Sequence, residues 1–153
     1  MPGYHTGPGC HLGYLTGARH SHLDSAGYSL DQKAAQKGQA LTPEGVAEAL
    51  LTEERWRQVL ASLVVCFFAR GIYTPDTIVA ALQPIGIEIT PQALSALGAE
   101  ILQRKQAFKV REGFDVTASR LPARIWETPS PAGPFDEAFL RQALVAFDKF
   151  SQQ

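Results

Sequence analysis

The 153-residue sequence has little of what would place it outside ordinary globular proteins. Its two cysteines, Cys10 and Cys66, are too few for a disulfide framework, which favours a reducing compartment. With 14 basic and 15 acidic residues the formal charge is −1, so the chain lacks the basic surface that nucleic acids and anionic membranes attract. It also lacks the apolar core of a signal peptide, and its longest apolar run, residues 63–69, is too short to span a bilayer. These absences predict a cytoplasmic protein that binds neither nucleic acid nor membrane.

The chain after about Asp31 carries repeated signals for the start of a helix. A threonine that can cap a helix stands before a proline at the first helical position at residues 42–43, 74–75 and 90–91. Apolar residues recur at helical spacing after these starts, and Asp136 is placed to cap the last helix. We therefore expect helices over residues 43–69, 75–82, 91–110, 122–126 and 137–150.

The first 31 residues differ from the rest of the chain. They combine glycines with all four histidines, His5, His11, His20 and His22, and show no helical period. We therefore expect an irregular loop over residues 1–31 and a helical domain over residues 32–153. The predicted fold class is all-α, with about five helices preceded by an irregular Gly/His-rich N-terminal loop.

The reactive side chains leave several interpretations open. A zinc site could be drawn from Cys10, His11, His20 and His22, but their spacing does not match structural zinc motifs. A nucleophilic cysteine–histidine pair is a second interpretation, although nothing in the sequence places either cysteine beside a base. Cys66 lies on the flank of an apolar helix, where a cysteine is ordinarily a small core residue. The residues alone therefore indicate a helical domain with a histidine-rich N-terminal segment.

Three stretches of the chain follow a pattern known from one enzyme family. They read LGYLTGARHSHLD at residues 12–24, ASLVVCFFA at residues 61–69 and ITPQALSALGAEILQRKQAFKVREGFDVTASRLPAR at residues 89–124. In this order they resemble the C-terminal part of the aldehyde:ferredoxin oxidoreductases, which are tungsten- or molybdenum-pterin enzymes. The residues that match in the third stretch are Gly98, Phe108, Arg111, Glu112, Gly113, Phe114, Leu121, Pro122 and Arg124.

The resemblance implies roles for three residues. In that family the histidine-bearing segment approaches the pterin-bound metal, which makes His22 the catalytic pocket residue. His20 is the alternative, because the alignment needs a one-residue gap there. Such a histidine would donate a hydrogen bond to an aldehyde oxygen and relay a proton. Cys66 falls on the family's fourth cysteine, a thiolate ligand of the [4Fe–4S] cluster.

The sequence also departs from the family's pattern. Ala61 stands where the family has an aspartate that holds a pterin amine, and Val64 stands where it has a glycine, so we assign no pterin-binding residue. The Cys-x-x-Cys-x-x-x-Cys motif that supplies the other three cluster ligands does not occur. We therefore expect the isolated chain to bind no cofactor and to be inactive.

The resemblance identifies the chain as the C-terminal domain or a fragment of an enzyme that oxidises a small aldehyde to a carboxylic acid. Electrons would leave through the [4Fe–4S] cluster to a ferredoxin-like acceptor, and a missing N-terminal portion would bind the pterin and the cluster. A homodimer is compatible with this reading. The alternative is a stand-alone helical interaction module without cofactor, in which Cys66 is a core residue. A fragment should expose an apolar patch around Cys66.

Overall fold

Within residues 5–17 and 26–152, which the computed structural model describes, all regular structure is helical. The seven α-helices there are α1 (Pro8–Thr16), α2 (Ala26–Lys37), α3 (Pro43–Ser62), α4 (Pro75–Leu82), α5 (Pro91–Arg111), α6 (Arg124–Glu127) and α7 (Glu137–Ser151). Two short 3-10 turns cover Phe67–Ala69 and Gln83–Ile85. The predicted all-α class is confirmed. In this part of the chain no helix combines the length and apolarity needed to cross a bilayer.

Four helices begin at the capping residues that the sequence indicates. The hydroxyls of Thr42, Thr74 and Thr90 accept hydrogen bonds from the amides three residues later, at 3.1 to 3.2 Å. Asp136 accepts one from the amide of Phe139 at 2.8 Å. Each cap satisfies one of the amides that have no partner inside the first turn, so local sequence suffices to start α3, α4, α5 and α7.

The core is organised around α3, which packs against both α5 and α7. The larger apolar cluster joins α1, α2, α3, α5 and α7, and its members include Leu12, Ala26, Leu50, Leu102 and Phe147. A smaller cluster joins the C-terminal half of α3 to α4 and α5 through Val59, Leu60, Ile78 and Leu94. The two clusters together cover one side of α3 along most of its length.

The prediction of an irregular loop over residues 1–31 is wrong for the residues that form α1 and the start of α2. Every residue of α1 except Tyr14 is buried. Because the helix is enclosed on all sides, its sequence shows no polar face and hence no helical period. Pro8 at the first helical position and Gly17, with a left-handed φ of 39°, mark its two ends.

The prediction of a helix over residues 43–69 is wrong at its C-terminal end. It ends at Ser62, and Phe67–Ala69 forms a separate 3-10 turn. The apolar run from residue 63 to 69 is therefore not the end of a buried helix. Val64 and Phe68 are instead 90% and 81% exposed.

Helices α1 and α2 approach so closely that their backbones touch at two glycines. A Cβ atom on Gly27 would overlap with the carbonyl group of Gly9. The contact is between main-chain atoms, which cannot move aside as a flexible side chain could.

Replacing Gly27 by Ala should destabilise the protein by about 3 kcal/mol or more, because the added methyl group forces α1 and α2 apart. The loss should appear in urea unfolding although alanine favours a helix over glycine by about 1 kcal/mol. Gly71→Ala is the matched control, since no atom lies near the Cβ position of Gly71. Equal stability of the two variants would contradict the close approach.

Candidate functional site

The N-terminus of α1 is held by a buried carboxylate from α2. Asp31 accepts hydrogen bonds from the amides of Gly9 (2.9 Å) and Cys10 (2.7 Å) and from the hydroxyl of Thr6 (3.1 Å). A negative charge at a helix N-terminus also interacts favourably with the helix dipole. Since Asp31 is 22 residues from Gly9, no local sequence signal predicts this cap.

Two histidines join α1 to the segment after α6. His5 Nε2 donates to the carbonyl of Thr128 at 2.7 Å, and His5 Nδ1 lies 2.8 Å from Nε2 of His11. When both rings are neutral, Nδ1 of His5 therefore accepts the proton of His11. Both rings also contact Phe135. These histidines serve as structural connectors, since both ring nitrogens of His5 and Nε2 of His11 are hydrogen-bonded within the protein.

Burial changes the acid–base behaviour of this cluster. It lowers the pKa of His11 to about 4, with a further contribution from His5, so His11 is neutral at pH 7. It raises the pKa of Asp31 to about 6, although the amides of Cys10 and Gly9 and the hydroxyl of Thr6 act in the opposite direction. Burial also raises the pKa of Cys10, which keeps it a thiol and removes the thiolate that a nucleophile or metal ligand needs. The nucleophilic cysteine–histidine pair, considered as one interpretation of the sequence, therefore finds no support at Cys10.

The segment that carries His20 and His22 lies outside the described residues, but the structure describes where the chain enters it. Lys109 Nζ donates to the carbonyls of Thr16 (2.6 Å) and Gly17 (3.1 Å) at the C-terminus of α1. A cation at this end of a helix complements its dipole. The chain thus leaves α1 from an anchored position.

The Arg-Glu-Gly-Phe stretch at residues 111–114 builds the support for Lys109. Gly113 has a φ of 83° and ends α5 in a Schellman motif, with the amide of Phe114 donating to the carbonyl of Lys109 at 2.9 Å. The chain then turns back, and the centre of the Phe114 ring lies 4.1 Å from Lys109 Nζ. The motif therefore holds the lysine that caps α1.

A groove of about 700 Å³ opens beside this corner, between the ends of α5 and α7. Thr16, Val110, Phe114 and Phe147 contribute to its lining, and Cys66 does not. The groove thus adjoins the exit of α1 and is separate from the predicted metal ligand.

Cys66 is exposed at the start of the turn that follows α3. The core role considered for it is wrong, because α3 ends before it is reached. Val64 has a φ of 58°, and its amide and that of Val65 donate back to the carbonyls of Ala61 and Leu60. This is again a Schellman motif, with valine at the position that usually holds glycine. Among the described residues, no three histidine, cysteine or acidic side chains are grouped as metal ligands.

A family model described as aldehyde ferredoxin oxidoreductase, domains 2 & 3, matches residues 1–151. The chain belongs to the aldehyde ferredoxin oxidoreductase family. No curated protein and no solved structure matches the chain significantly. Val64 is in a left-handed conformation that glycine adopts without strain, which suits the glycine that the resemblance leads us to expect at this position.

Val64→Gly should stabilise the protein by about 1 kcal/mol, because it relieves a β-branched residue in the left-handed region and removes a side chain that packs on little. Val64→Ala is the matched variant, since it keeps Cβ and should gain less. Urea unfolding of the three proteins measures the difference. A stability order with alanine above glycine would contradict the assigned strain.

His11 and Asp31 are both buried, and they should contribute to the pH dependence of stability in opposite directions. The pKa of His11 lies below its ordinary value of 6.5, so its contribution to stability is lost as pH falls from about 6.5 to 4. The pKa of Asp31 lies above its ordinary value of 3.8, so stability is gained as pH falls from about 6 to 4. The two contributions largely cancel in the wild type.

Single variants should separate them in urea unfolding at pH 4, 5, 6 and 7. Relative to wild type, Asp31→Asn should become less stable as pH falls, and His11→Asn more stable, with slopes up to about 1.4 kcal/mol per pH unit. Taking differences from wild type removes the carboxylates that all three proteins share. Two variants with the pH dependence of wild type would contradict these assignments.

Proposed function

We propose that this chain is the C-terminal part of an enzyme that oxidises an aldehyde to a carboxylic acid. The family match carries the proposal, since it covers residues 1–151. In the reaction an aldehyde and water give a carboxylic acid, two protons and two electrons. A pterin-bound tungsten or molybdenum and a [4Fe–4S] cluster supply the redox chemistry when bound, and a ferredoxin-like protein accepts the electrons.

Cys66 is the proposed cluster ligand of this chain. Its exposure at the start of a turn suits a thiol that meets iron held by another part of the enzyme. Since a cubane cluster needs four protein ligands and the chain has only one other cysteine, Cys10, which is buried, three ligands must come from elsewhere. We assign them to a separate cluster-binding portion that also holds the pterin. Ala61 has no side-chain acceptor for a pterin amine, so this chain contributes none there.

The exposed apolar residues beside Cys66 support this docking. Val64, Phe68 and Ile72 are 90%, 81% and 68% exposed, although such side chains usually lie in a core. A partner that brings three cysteines to Cys66 would cover this surface. Docking of this partner would then bury both the apolar surface and Cys66.

His22, with His20 as the alternative, is the proposed pocket histidine. It would donate a hydrogen bond to the aldehyde oxygen and relay a proton. Lys109 supports this role, because it anchors the carbonyls of Thr16 and Gly17 from which the chain continues towards these histidines. The isolated chain, without the cofactors, should be inactive.

Cys66→Ser tests the proposal in the chain assembled anaerobically with its cluster-binding portion. The variant should lose most of the [4Fe–4S] absorption and electron paramagnetic resonance signal, because a hydroxyl is a harder and poorer ligand for this cluster. Cys10→Ala is the control and should keep the cluster, since Cys10 is buried in the fold. Iron content, sulfide content and aldehyde-dependent ferredoxin reduction are measured for each protein. A cluster that survives intact in Cys66→Ser would overturn the assignment.

A further inference from the structure

Helix α5 exposes apolar side chains on the side that faces away from the core. Its inner side, which includes the buried Leu94 and Leu102, packs against α3 and α4. On the outer side Leu97 and Phe108 are 39% and 54% exposed, and Ile101 between them is partly exposed. These three residues follow each other at helical spacing, so they form one stripe along the helix. A helix at the surface of a monomer ordinarily carries polar residues on such a stripe.

The outer face also has room for the backbone of another helix. Ala93, Ala96 and Ala107 lie beside the apolar stripe and are exposed. The distance at which two helices pack depends on the side chains at the contact, and alanines allow a close approach. Large and small side chains thus lie next to each other on this face, which suits the interdigitation of two helices.

An ion pair lies near the middle of the same face. Arg104 Nη2 donates to Glu100 Oε1 at 2.5 Å, and both side chains are exposed. Along the helix the glutamate precedes the arginine, with Leu97 before this pair and Phe108 after it. The face therefore has a direction, since its acidic group lies nearer the N-terminus of α5 and its basic group nearer the C-terminus.

A second α5 helix in the antiparallel orientation has the complementary order. When the midpoints of two such helices lie over each other, Glu100 of each copy faces Arg104 of the other. In the same register, to within one residue, Leu97 of each copy faces Phe108 of the other, and the two Ile101 side chains lie near the two-fold axis. Parallel helices would instead place each charge opposite an identical one, which is unfavourable. The face is thus complementary to itself in the antiparallel orientation.

We propose that the outer face of α5 binds a second copy of this chain in antiparallel orientation, through Leu97, Glu100, Ile101, Arg104 and Phe108. Each of these contacts occurs twice about the two-fold axis, which is typical of the interfaces of homodimers. Because each copy contributes one helix, the area of the interface lies at the low end for specific interfaces, and we expect a dissociation constant of about 0.1 mM. The proposal does not depend on the proposed oxidoreductase function.

Sedimentation equilibrium of the full chain between about 10 μM and about 1 mM tests this interface. The mass of the wild type should rise from that of one chain towards that of two. Glu100→Arg and Arg104→Glu should each associate about tenfold more weakly or less, because each places like charges opposite each other. An equimolar mixture of these two variants should associate again, since one then carries two basic and the other two acidic groups at these positions. The double variant Glu100→Arg/Arg104→Glu should also dimerise.

Glu137→Arg is the matched control for the charge reversals. It changes an ion pair of the same spacing on α7, where Arg141 Nη2 lies 3.3 Å from Glu137 Oε1, and it should dimerise like the wild type. Circular dichroism shows whether each variant is folded, which we expect because Glu100 and Arg104 are exposed. A wild-type chain that stays monomeric at about 1 mM would leave this face for a partner of different sequence and overturn the proposal. A dimer that neither charge reversal weakens would also overturn it.

Crosslinking through single cysteines tests the antiparallel orientation in a Cys66→Ser background, which removes the exposed native thiol. Ile101→Cys should crosslink to its counterpart with a short thiol-specific reagent, because position 101 lies near the two-fold axis. Ala93→Cys should not, since a rise of about 1.5 Å per residue places the two copies of position 93 about 27 Å apart. Crosslinking of Ala93→Cys, or its absence in Ile101→Cys, would overturn the antiparallel arrangement.

Discussion

The carboxylate of Asp31 at the N-terminus of α1 is the interaction on which the arrangement of the candidate site depends. It lies buried between two helices and satisfies the amides of Gly9 and Cys10, which have no partner within α1. Without it α1 would bury unpaired amides, at a cost of about 1–3 kcal/mol for each group. With it α1 and α2 approach closely enough for the backbones of Gly9 and Gly27 to touch. A single buried carboxylate thus joins α2 to the N-terminus of α1.

Helix α2 is connected to the two regions that carry the proposed site residues. Asp31 sets the position of α1, from which the chain leaves towards the proposed pocket histidines. Ser29, two residues earlier, accepts from Arg57 and Arg70 and so connects α2 to the turn at Cys66. The proposed histidine segment and the proposed cluster ligand are therefore attached to the same helix, although neither lies on it.

The C-terminal ends of α3 and α5 show when a helix end can be predicted from the sequence. Gly113 and Val64 occupy the same left-handed position of a Schellman motif. At Gly113 the residue type and the conformation agree, and the helix predicted over 91–110 is confirmed to within one residue. At Val64 they disagree, so the pattern predicted a helix that continues to residue 69. A β-branched residue gives no signal for a left-handed end, and the apolar residues beyond it look like a buried helix whether or not a partner covers them.

Local sequence determined the starts of α3, α4, α5 and α7, because a capping side chain and the amide it accepts from are only three residues apart. It also determined the all-α class, since the faces of these helices carry their apolar residues at helical spacing. Tertiary structure alone decided that α1 is a helix, because a helix buried on all sides has no polar face to reveal it. It alone decided that Cys10 is buried and Cys66 exposed, and that Asp31 caps α1, because Asp31 is 21 and 22 residues from the two amides that it accepts from.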